Sequence, residues 1–280
     1  MRRDGKLTVA LISEVFWEPG GPARLADRLR EASERGADLA VLPELPLNPW
    51  SPATKVANDA DAEPMDGPRA RAQAEAAAGA GIGLIGGIIH RAEDGRRTSR
   101  ALAFDRAGAV QATYEKLHLP DEEGFWEPSH YEPGTEPPRR IDVFGVPIGL
   151  QLCSDNNRPE GTHLLGAQGV VAMINPRATE ERGYQRWKTV WRANALTSCC
   201  YVLSVNRPHP EQGVLIGGPS VAIDPNGDVL VETTDTIAVV TLDRDVVTQA
   251  RGGYPGHLPV RARLYADAWD AIARSDGSEA

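Results

Sequence analysis

Four ionisable residues each follow an apolar run: Glu44 in "LAVLPEL", Lys116 in "TYEKLHLP", Glu127 in "GFWEPSHYEPG" and Cys153 in "IGLQLCSD". Together they offer a thiol, two carboxylates and an ammonium. A thiol can attack a carbonyl if a carboxylate takes its proton and a cation holds the charge that develops. Each residue also has a plain reading. Cysteine is among the most buried residue types, so Cys153 reads equally as core filling, and a lone Glu or Lys at a strand end reads as a solvated group. A Cys–His pair is a second catalytic reading and would need His118, His130 or His163 beside Cys153.

The elements around these residues decide whether they can meet. "LTVALISEV" reads as a strand, "GPARLADRLREASERGA" as an amphipathic helix, and "ADLAVLPE" as a strand covered on both faces. An alanine-rich helix follows, then "GIGLIGGIIHRA" and "SRALAFDRAGAVQATYEK" as strands, with a turn at "RAG". "RIDVFGVPIGLQLC" reads as a strand pair, with a helix after Pro159 and a strand at "GVVAMINP". Then come the helix "GYQRWKTVWRANALTS", the strand "CYVLSVN", a hairpin about "DPNG" and a last strand "IAVVTLD". Strands alternating with helices predict an α/β layered sandwich. In covered parallel sheets ligands sit beyond the carboxyl ends of the strands, so groups ending different strands can converge. One domain is expected over residues 1–272, followed by a disordered polar tail at 273–280. The polar stretch Ser51–Met65 is placed to form a lid or pocket loop.

Taken in order, six segments resemble the nitrilase superfamily of carbon–nitrogen hydrolases. "ADLAVLPEL" is similar to the family's glutamate strand, "YEKLHLP" to its lysine motif, and "FWEPSHYEPG" to the segment with a second glutamate. "GLQLCSDNNRPE" resembles the cysteine motif, with Cys153, Asp155, Pro159 and Glu160 in register. "WRANALTSCCYVLSVN" and "GPSVAIDPNGDVL" resemble the helix, strand and hairpin that follow. The resemblance implies an αββα four-layer sandwich, a Glu44–Lys116–Cys153 site supported by Glu127, no metal or organic cofactor, and a homodimer or larger homo-oligomer. It implies hydrolysis of an amide or N-carbamoyl substrate with release of ammonia. A nitrilase, an acyltransferase and a non-catalytic binding protein on the same fold are the alternatives.

The chemistry suits the residues. A free thiol has a pKa of about 8.5, and burial raises it, so Cys153 needs Glu44 as base. Lys116, with a backbone N–H near Ser154, can hold the oxyanion. Glu127 can keep Lys116 charged and in place, while Tyr114 and Trp126 can wall the pocket.

The cysteine motif also departs from the family. Ser154 replaces a bulky neighbour, Asn157 stands where arginine is common, and Arg158 where an aromatic is common. Nitrilases usually carry Trp-Glu after the cysteine, so Ser154-Asp155 argues for amides or N-carbamoyl compounds. Substrate contacts are expected from Trp126, Ser154, Asn156, Asn157 and Arg177. Arg177 can grip a substrate carboxylate through two parallel hydrogen bonds, or pair with Glu180, Glu181 or a pocket glutamate. Arg182 and Arg186 carry the same choice.

Composition narrows the setting. The net charge of -9 leaves no basic stripe for nucleic acid. No apolar run approaches the ~18 residues of a membrane span. Asp4, Lys6 and Glu14 break up the first apolar run, which reads as a strand and not a signal peptide. Three cysteines, two of them adjacent, do not make a disulfide framework. A cytoplasmic enzyme acting on a small molecule is expected, with no nucleic acid or membrane partner.

Overall fold

The computed structural model describes residues 5–276. The first half runs β1 (Lys6–Ile12), α1 (Gly21–Glu34), β2 (Leu39–Val41), β3 (Ala62–Glu63), α2 (Pro68–Ala80), β4 (Gly83–Arg91), β5 (Arg97–Phe104) and β6 (Val110–Glu115). A small ribbon, β7 (Asp121–Glu122) with β8 (Phe125–Trp126), leads to the second half. That half runs β9 (Ile141–Val143), β10 (Val146–Leu150), α3 (Pro159–Ala167), β11 (Ala172–Arg177), α4 (Tyr184–Ser198), β12 (Tyr201–Asn206), β13 (Ser220–Ile223) and β14 (Val229–Thr233). The chain then returns through β15 (Ile237–Asp243) to α5 (Arg244–Gly252) and α6 (Ala262–Asp276).

The strands form two sheets of matching order. One is β15-β1-β2-β4-β5-β6, with β3 beside β4; the other is β9-β10-β11-β12-β13-β14. In each, three parallel strands joined by helices are followed by antiparallel ones. The strands that pack on both faces are continuous apolar runs, because neither face meets water. Three buried clusters separate four layers. Val9, Leu11 and Val41 meet Ile148, Ile174 and Leu203 between the sheets. Leu25 and Leu29 of α1 and Ala77 of α2 cover the first sheet, and Trp191 of α4 covers the second. This is the expected αββα sandwich.

The structure corrects three expectations. Residues 51–65 are not a free lid. Asn48 and Ser51 bond Asp61, β3 pairs with β4, and Glu63 receives Arg69. The sequence reading stopped at β15, but α5 and α6 follow. Asp243 caps α5 by accepting from the Asp245 N–H. Residues 273–276 are not part of a disordered tail, since α6 continues to Asp276 and Arg274 reaches back to Asp270 one turn earlier. Residues 277–280 lie outside the described part.

Candidate active site

Glu44, Lys116 and Glu127 are buried and in direct contact. The Lys116 ammonium donates to Glu44 Oε1 at 2.8 Å and to Glu127 Oε1 at 2.6 Å. Glu44 lies just past β2, Lys116 just past β6, and Glu127 begins a short 3₁₀ turn behind β8. Lys116 is further held by its own backbone: its N–H donates to the Ser99 carbonyl and its carbonyl accepts from Gly134. Burial opposes its charge, but Glu127 and Glu44 outweigh that and hold its pKa above the ordinary lysine value. Glu127 behaves differently. Burial raises its pKa to about 8, with the Glu44 charge adding and Lys116 opposing. Among the described residues, Glu44 Oε2 has no hydrogen-bond partner.

Cys153 stands at the turn between β10 and α3, in the left-handed region at φ 43°. A cysteine rarely takes that conformation, and strain of this kind collects where a reactive group must be presented. Its thiol points to the Ala178 carbonyl, with sulfur and oxygen 3.5 Å apart. Burial raises its pKa well above an ordinary thiol; Lys116 opposes this, while Glu44 and Glu127 add to it. The resting sulfur is therefore a neutral thiol, with Lys116, Glu44 and Glu127 all acting on it. None of His118, His130 and His163 hydrogen-bonds to Cys153: they engage Asp155, the Thr54 carbonyl and Thr197.

Asp155 ties the two segments together. Its buried carboxylate accepts from the Leu152, Leu117 and His118 backbone N–H groups and from the Tyr114 hydroxyl. One side chain thus spaces the lysine segment against the cysteine turn. Its position two residues after Cys153 was the sequence signal for it. Tyr114 is accordingly spent on Asp155. Asn175 holds the same turn from below, donating to the Gln151 and Cys153 carbonyls.

A cavity of about 710 Å³ opens over the thiol. Cys153, Ser154, Asn157, Phe125 and Ala178 line it, with Glu122, Glu180, Arg182, Arg186 and Trp187 also on its walls. Ser154 and Asn157 thus stand where the sequence placed them, and three other expected contacts do not. Trp126 turns from the cavity to lie under Lys55, and its neighbour Phe125 faces in. Asn156 is buried behind the turn, donating to Gln151 and Thr162 and accepting from Asn194. Arg177 is fully buried over the Trp191 ring and donates to Ser204, Thr179 and the Pro219 carbonyl. Burial without a carboxylate lowers its pKa to about 9. The alternation of strand faces put Arg177 inward, and no signal around it in sequence separated that from a cavity position. Among the described residues no group of three or more His, Cys, Asp or Glu is arranged for a metal ion, and no helix is long and apolar enough to cross a membrane.

Residues 12–252 match the carbon–nitrogen hydrolase family. A 2-oxoglutaramate amidase of Paenarthrobacter nicotinovorans is 30% identical over 174 residues, 59% of this chain and only 58% of that one. An omega-amidase of Bos taurus is 26% identical over 254 residues, 86% of this chain and 90% of that one. A carbon–nitrogen hydrolase of Helicobacter pylori superposes with a TM-score of 0.82 at 20% identity, covering 94% of this chain and 98% of that one. The sandwich of paired sheets and its buried cysteine cavity thus have a family: the chain belongs to the carbon–nitrogen hydrolases. It is an enzyme of the amidohydrolase type.

The displaced pKa of Glu127 has a measurable consequence. In the folded protein this carboxyl keeps its proton to about pH 8, against a reference value of 4.5. Between those values the unfolded chain binds fewer protons than the folded one, so stability falls as pH rises. The melting temperature of the wild type should fall relative to that of Glu127→Gln from about pH 5 to about pH 8. Parallel melting curves for the two proteins would show that Glu127 is ionised in the fold.

Proposed function

We propose that this chain hydrolyses a linear carboxamide to a carboxylic acid and ammonia, with Cys153 as nucleophile, Glu44 as general base and Lys116 as oxyanion donor. One observation supports this above the rest: Lys116 holds Oε1 of Glu44 and leaves Oε2 unpartnered in a buried site that also contains a thiol. Glu44 Oε2 takes the thiol proton as sulfur attacks the carbonyl carbon. Charge builds on the carbonyl oxygen, where the third N–H of Lys116 and the Ser154 backbone N–H receive it. The C–N bond breaks, Glu44 returns its proton to the departing nitrogen, and ammonia leaves. Water then attacks the thioester, with Glu44 again as base, and frees the acid and the thiol. Only side chains and water are needed, so the reading requires no cofactor. The three cysteines are unpaired, which fits a cytosolic setting.

The substrate reading is an ω-amide of a short dicarboxylic acid. The relatives named 2-oxoglutaramate amidase and omega-amidase point that way, and so do the cavity walls. Arg182 is spent on Glu180, but Arg186 makes no hydrogen bond or ion pair with any described residue. A free guanidinium on the wall of a cysteine cavity suits a carboxylate at the far end of the substrate. An N-carbamoyl amino acid offers the same two groups and is the comparison substrate.

The assembly reading is a homodimer or larger. Leu264, Tyr265 and Trp269 of α6 are more than half exposed and Ile272 nearly half, and Leu258 and Val260 just before them are also uncovered. Contiguous apolar surface of this kind marks an interface. We assign it to a second copy of this chain.

Ammonia release measured over ω-amides, alkyl amides, N-carbamoyl amino acids and nitriles should be abolished by Cys153→Ala and cut about 10²–10⁴-fold by Glu44→Gln. Full activity in Cys153→Ala ends the mechanism. Arg186→Ala should raise KM about tenfold for amides bearing a carboxylate and leave KM for a neutral alkyl amide unchanged. Equal effects on both would remove Arg186 from recognition. Sedimentation velocity should find an oligomer that Trp269→Glu dissociates; a wild-type monomer overturns the assembly.

A further inference from the structure

The backbone that carries Glu44 is held by a residue of the opposite sheet. Arg207 follows directly on β12, and its side chain is fully buried. Its Nε and Nη2 donate to Glu211 Oε1 and Oε2 at 2.8 and 2.6 Å, a two-point ion pair. The remaining donors all turn to one loop. Nη1 donates to the Glu44 and Leu45 carbonyls at 2.9 and 2.8 Å, and Nη2 to the Asn48 carbonyl at 2.9 Å. Glu211 Oε2 also accepts from the Trp50 N–H, and the guanidinium lies over the Trp50 ring.

The loop needs this support. Leu45 sits at φ 50°, which leucine seldom adopts, and the 44, 45 and 48 carbonyls turn inward at the end of a three-residue strand. Arg207 satisfies all three. Cys153 lies at the end of β10 in the same sheet as β12, so the guanidinium references the Glu44 backbone to the sheet that carries the thiol. The preceding residue does the same for the facing wall: Asn206 binds both the N–H and the carbonyl of Thr179, next to the carbonyl that receives the thiol. Glu211 neutralises the guanidinium, so its contribution is position and not field.

We infer that Arg207, fixed by Glu211, is a positioning residue that sets the Glu44 carboxylate against Cys153. The inference rests on Glu44 being the base. A lysine cannot replace Arg207, because one ammonium has too few donors and the wrong shape to bridge a carboxylate and three carbonyls. Misplacing a reacting group by about 1 Å costs on the order of 10²-fold in rate.

The test compares wild type, Glu44→Gln, Arg207→Lys and the double variant. It measures kcat, KM and the rate of iodoacetamide labelling at each cysteine by peptide mass spectrometry. Arg207→Lys should lower kcat and Cys153 labelling together by about 10- to 100-fold, with KM within about twofold and Cys199 and Cys200 labelling unchanged. In the Glu44→Gln background it should add no further loss of Cys153 labelling, because Arg207 acts through Glu44. If Arg207→Lys fails to fold, Glu211→Gln carries the same comparison. Unchanged kcat, additive losses in the double variant, or a parallel rise in Cys199 and Cys200 labelling would each overturn the positioning role. If Glu44→Gln itself leaves kcat and labelling unchanged, it is the base assignment that fails.

Discussion

Everything in this site turns on one buried ammonium placed between two carboxylates. Three ionisable groups taken out of water are unfavourable unless they face one another at hydrogen-bond distance. Lys116 meets that condition with Glu44 on one side and Glu127 on the other. Each carboxylate gives one oxygen to the ammonium and keeps the other unengaged. Burial drives Glu127 toward its protonated form.

A site of this kind must be assembled from distant segments without freedom to relax, and the sandwich supplies the frame. Both sheets present the carboxyl ends of their parallel strands at one end of the molecule, where Glu44 and Cys153 leave β2 and β10. The core between the sheets fixes the strands; the polar ties fix what lies beyond them. Asp155 spaces the lysine segment from the cysteine turn, Asn175 holds that turn from its own sheet, and Arg207 draws the loop after Glu44 across the interface. Each tie runs from a side chain to backbone carbonyl or N–H groups of another segment, which places a loop without adding bulk to the cavity.

The thiol lines the cavity, whereas Glu44, Lys116 and Glu127 are buried and are not part of its walls; Glu122, Arg182 and Arg186 on the walls are exposed. The polar residues after the cysteine divide in the same manner: Ser154 and Asn157 reach the cavity, while Asn156 packs behind the turn with Gln151, Thr162 and Asn194.

The sequence by itself determined the alternation of strands and helices and the α/β class, because these depend on local apolar period; it was the resemblance of its strand-end motifs to a known family that singled out Glu44, Lys116, Glu127 and Cys153. It also placed Asp155 in register with the cysteine. Only the tertiary structure decided which side chains face the cavity. Trp126, Asn156 and Arg177 stand beside the right segments but turn the wrong way, since one residue of strand or turn exchanges inside for outside. Arg207 was invisible for the opposite reason: its partners at 44, 45 and 48 lie some 160 positions away along the chain, and they are carbonyl groups, which every residue carries. Side-chain type is written in the sequence; which backbone atoms lack a partner is known only once the sheets have closed on each other.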